Sequence, residues 1–84
     1  MLYPIYSIKD DLVGFGVPFS ADNDAVAMRF FHQATVQPNS IYGLNKSQFN
    51  LYKLGDFDTS SGEVVPCSPT YICSANDFKG EEDK

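Results

Sequence analysis

The chain has 84 residues, with six Lys or Arg against eleven Asp or Glu, a formal net charge of −5, two Cys, one His and no Trp. A chain this short supports one core and buries only ~60–65% of its unfolded surface, which excludes a second folded domain and makes a homodimer an expected source of stability. Its acidity disfavours sequence-independent phosphate binding unless the few cations cluster.

In chain order, Tyr3 to Ile8 mixes β-branched and aromatic residues and predicts a first strand, followed by a turn at Lys9-Asp10-Asp11. Val13, Phe15, Val17 and Phe19 then repeat with period two against Gly14, Gly16 and Pro18, the pattern of a second strand with one apolar face, hairpinned to the first. Asp22, Asn23 or Asp24 caps a helix expected from about Asp24 to Val36. At 100° per residue, Val26, Ala27, Phe30, Phe31 and Ala34 share one arc, with Arg29, His32 and Gln33 on the other side. Pro38 stops the helix.

Ile41 to Leu44 reads as a connector, and Asn45 to Phe49 as one capped turn that points Phe49 inward. A strand follows from Asn50 to Phe57, with a bulge at Gly55 that returns Phe57 to the core. Asp58 to Gly62 is a turn, Pro66 and Pro69 mark an edge or crossover, and Thr70 to Ser74 is a last strand. The expected fold is α+β: a small antiparallel sheet of four to five strands with one amphipathic helix packed on it, in the order strand-strand-helix-strand-strand. One domain spans residues 1–78, and residues 79–84 form a flexible acidic tail.

No catalytic constellation stands out. The Gly14-x-Gly16 pair lacks the third glycine of a dinucleotide fingerprint, since Phe19 stands there. Asp56-x-Asp58-x-Ser60 opens like a calcium loop, yet Ser61 replaces the bend glycine and Cys67 the bidentate glutamate. Cys67, Cys73 and His32 are too few and too scattered for zinc, and read as buried or idle thiols and as a histidine either solvated on the helix or paired with an acid. No cofactor or metal is expected, and the chain reads as non-enzymatic. A cation and aromatic patch for single strands is a further reading, drawing on Arg29, Lys46, Lys53, Tyr42 and Tyr52.

The segments IYSIKD, GFGVPF, NDAVAMRFF and FNLYKLGDFDTSSGEV, with PF...ND..A..FF and F.LY.LG.FD...G as their most specific parts, resemble the small non-structural protein of gokushoviruses, single-stranded DNA phages of the microvirus group. The resemblance runs from about Leu2 to Pro66 and implies a bacteriophage protein of the host cell cytoplasm, absent from the capsid and associated with DNA replication. It carries no catalytic residues over to this chain. The function expected is a non-enzymatic role in single-stranded genome synthesis or packaging, with Arg29, Lys46 and Lys53 as phosphate contacts and Tyr42 as a base platform. The alternative is a dimeric adaptor that engages a viral or host replication protein without touching DNA. No membrane partner is expected, because no apolar run reaches the ~18 residues of a span.

Overall fold

The computed structural model describes residues 1–78; the expected acidic tail lies outside the described residues. Strand β1 (Leu2–Asp10) is followed by two short strands, β2 (Gly14–Phe15) and β3 (Phe19–Ser20), then helix α1 (Asp24–Thr35) and one helical turn, α2 (Ile41–Leu44). A 3-10 turn at Lys46–Gln48 leads into β4 (Phe49–Asp58), and β5 (Val64–Ser74) completes the sheet. The architecture is mixed α+β, with an antiparallel sheet in the order β2-β1-β4-β5 and β3 also paired to β1.

Of the three capping candidates Asn23 acts, its Oδ1 accepting the Val26 N–H at 3.0 Å. The segment expected to be a plain connector is helical because Ser40 Oγ accepts from the N–H groups of Tyr42 and Gly43 at 3.1 and 3.3 Å. This turn folds back on the end of α1, so a Cβ on Gly43 would stand 2.1 Å from the Thr35 carbonyl oxygen. Phe49 enters the core directly after the 3-10 turn.

The single second strand expected from Val13 to Phe19 is instead a broken ribbon. Lys9 opposes Phe15 and Tyr6 opposes Phe19, so three steps along β1 match four along the ribbon. One extra residue reverses which face a side chain takes. Phe15 therefore shares a face with Lys9, whereas Phe19 shares one with Tyr6, and the period-two apolar face never forms. The turn also begins later than expected, at Asp11, since Lys9 and Asp10 still belong to β1.

Tyr6, Ala27, Phe31, Phe49, Leu51, Cys73 and Ala75 form the buried core between α1 and one face of the sheet. On α1 the fully buried stripe is Ala27, Phe31 and Thr35, spaced by four, rather than an arc centred on the paired phenylalanines. Phe30 lies beside that stripe, half exposed against the Phe19 ring at 4.8 Å. His32 is not on a solvated face: its ring stacks on Phe78 at 4.7 Å, and its Nε2 is buried with no hydrogen-bond partner among the described residues.

Two irregularities shape the far end of the sheet. Ile5 opposes Gly55 while Tyr6 opposes Lys53, which leaves Leu54 as the bulged residue. Gly55 is required one residue on, because β5 crosses so closely that a Cβ there would meet the Val65 carbonyl oxygen at 2.4 Å. Phe57 does not return to the core as expected; it lines an apolar groove with Ile5, Leu54 and Pro66. With Pro66 and Pro69 on it, β5 is an edge strand, and prolines blunt such an edge against further pairing.

Candidate nucleic-acid interface

Adjacent residues of a strand point to opposite faces, so the neighbours of the core residues define what the helix leaves uncovered. Tyr6, Ile8 and Leu51 pack beneath α1. Ser7 and Lys9 on β1, and Tyr52 on β4, project the other way. Ser7 opposes Tyr52, and Tyr52 opposes Tyr71 across the next pairing. The ribbon adds Phe15 opposite Lys9.

These side chains meet as one strip across the sheet. Phe15 and Tyr52 stand edge to face with centroids 5.5 Å apart, and Tyr52 and Tyr71 repeat the arrangement at 5.8 Å. The Lys9 Nζ sits 5.5 Å from the Phe15 centroid and 5.8 Å from that of Tyr52, within reach of a cation–π interaction with both. Phe15 is 46% exposed and Tyr71 52%, so the strip keeps ring surface in water. Partial burial, followed by the Asp77 carboxylate, raises the Tyr71 phenol above its ordinary value. Aromatic rings beside a cation on an open sheet face stack bases and hold a phosphate in single-strand binders.

The residues expected from sequence do not build this strip. Tyr42 is partly buried, its ring packed edge-on against Phe49 at 4.9 Å and Phe31 at 6.2 Å, so it packs with the core and apart from the strip. Lys53 opposes Tyr6, which puts it on the helix-bearing face, where it pairs with Asp56 at 3.6 Å. Arg29 is exposed on α1, and Lys46 opens the 3-10 turn beside Thr35, Ser40 and Gly43. Arg29, Lys46 and Lys53 thus stand on three separate elements. Tyr52 is the member of the sequence patch that the strip includes. Lys9, Phe15 and Tyr71 were missed, although Lys9 and Tyr52 each follow an apolar core residue, Ile8 and Leu51, in the opposite strand phase.

The other chemistry-bearing residues are spoken for locally. Asp58 Oδ1 accepts the Ser60 N–H at 2.8 Å and Ser61 Oγ the Glu63 N–H at 3.2 Å, the bonds of a turn. Cys67 is exposed and Cys73 buried, both free; burial pushes the Cys73 thiol up to about 11. Among the described residues no group of three His, Cys, Asp or Glu could hold a metal ion.

The fold and strip define a class: a small α+β protein whose sheet carries a helix on one face and partly exposed aromatic side chains on the other. The chain belongs to the Phage ORF5 protein family, whose model matches residues 3–78. It is therefore a phage protein. No curated protein and no solved structure matches the chain.

Proposed function

We propose that this protein is a non-enzymatic, non-structural accessory of a gokushovirus that acts in single-stranded DNA genome synthesis or packaging in the host cytoplasm, binding the single strand on the open face of its sheet. The Phe15–Tyr52–Tyr71 strip with Lys9 between the first two rings carries this reading. Stacking reconciles it with the net charge of −5, because ring–base contacts need no surplus of cations, whereas duplex binding through phosphates does. Binding should accordingly depend weakly on salt, with a logarithmic slope of about −0.7 for a single phosphate held by Lys9.

Fluorescence anisotropy of a labelled single-stranded oligonucleotide at low and physiological salt, with duplex as competitor, tests it. Tyr52→Ala should weaken binding by about tenfold, within the ~1–3 kcal/mol range of a stacked base, with Arg29→Glu changing it less. Absence of binding at low salt, or equal binding by wild type, Tyr52→Ala and Tyr71→Ala, would overturn it.

A second reading, an adaptor for a viral or host replication protein, is favoured by the apolar groove of about 600 Å³ lined by Ile5, Phe19, Leu54, Phe57, Val64 and Pro66. It requires a protein that co-purifies from infected cells after nuclease treatment and is released by Leu54→Asp.

A further inference from the structure

The broken ribbon leaves apolar side chains where the sequence pattern would have buried them. Leu12, Val13 and Val17 are 76%, 85% and 88% exposed, and Phe30, which lines one groove with Val17, is 52% exposed. That groove has a volume of about 320 Å³ and runs between the ribbon and the helices, walled also by Ile8, Phe19 and Tyr42. Together the four exposed side chains leave on the order of 500 Å² of largely apolar surface in water, at the upper end of what a monomer ordinarily shows. With the groove walls this comes to about 600 Å² per copy at most, the low end of what a stable interface buries.

We propose that this face is a homodimer interface, in which the ribbons of two copies pack about a two-fold axis and each covers the groove of the other. Charge permits a second copy: Leu12 to Phe19 contains no charged residue although the chain carries −5, so two copies can meet along this stretch without opposing like charges. A second copy supplies what the surface requires: projecting apolar side chains and an apolar groove on the same edge, which is the self-complementarity of a two-fold interface. Because Phe15 belongs to the same ribbon, dimerisation would set the two aromatic strips side by side; this consequence rests on the nucleic-acid reading, whereas the dimer does not.

Sedimentation velocity of the full chain from micromolar to millimolar concentration tests the proposal. The expected species has twice the 9.3 kDa chain mass. Val17→Asp and Leu12→Asp should each weaken it by at least about tenfold, equivalent to ~1.4 kcal/mol. Val65→Asp, a comparably exposed site on β5, should leave it intact. Since an aspartate can also impair folding, amide exchange of the wild-type ribbon, residues 12–18, is measured at both ends of the concentration range, with slower exchange at the high end expected. A monomer throughout, dissociation by Val65→Asp but not Val17→Asp, or exchange independent of concentration would overturn it.

Discussion

The two faces of the sheet carry similar side chains to opposite ends. Beneath α1, Tyr6, Phe31 and Leu51 are fully buried, and Phe31 meets Phe78 edge-on at 5.6 Å. On the other face Phe15, Tyr52 and Tyr71 meet with the same edge-to-face geometry and half of the outer rings still in water. The contacts between rings are alike; what differs is whether a third layer closes over them. Aromatic content in a strand therefore does not say whether a ring is buried or left in water, but the face it occupies does.

The largest expected effect tests that contrast directly. Phe31→Ala should cost about 3–5 kcal/mol, a large part of the stability of so small a domain, whereas Tyr71→Ala should cost less than about 1 kcal/mol. Urea denaturation of both variants measures the difference, and equal losses would mean that the open face is structural. Gly55→Ala comes next, at about 2–3 kcal/mol, because the new methyl group would push on the Val65 carbonyl and part β4 from β5.

A smaller effect is expected where the core reaches its polar edge. The Tyr6 hydroxyl donates to Asp24 Oδ1 at 2.5 Å, and burial, followed by that bond, raises the phenol well above its ordinary range. Tyr6→Phe should lower stability by about 1–2 kcal/mol, while Tyr52→Phe should leave it nearly unchanged, as urea midpoints will show. The smallest is a pH effect at the buried cysteine. The Cys73 thiol keeps its proton up to about 11, against an ordinary value of 9.0. Between these values the unfolded chain ionises first, so stability is fully present below pH 9 and falls as pH rises towards 11. Cys73→Ala should flatten that part of the melting-temperature profile, and an unchanged profile would overturn that expectation.

Much of the scaffold is legible from local chemistry. Asn23, three residues before Val26, sets the start of α1, and Pro38 stands just beyond its end. Pro66 and Pro69 place β5 at an edge, and Phe49 turns inward after a short turn. These features depend on groups within a few residues of each other, so the chain alone specifies them. The candidate site was harder to read. In sequence Tyr42 reads as the base platform and Tyr52 only as a member of the wider patch, because the packing of Tyr42 against Phe31 and Phe49 exists only in the folded chain.

Composition, charge and local spacing determined that this is an acidic α+β chain, with a helix capped near Asn23 and strands on either side of it. Tertiary structure decided which face each ring took. One extra residue between Phe15 and Phe19, set against β1, sends Phe15 to the open face and Phe19 beneath the helix. Both positions continue the same period-two pattern in sequence. The pattern records alternation within a strand, whereas the face depends on register with a neighbouring strand, and register exists only once the two have paired.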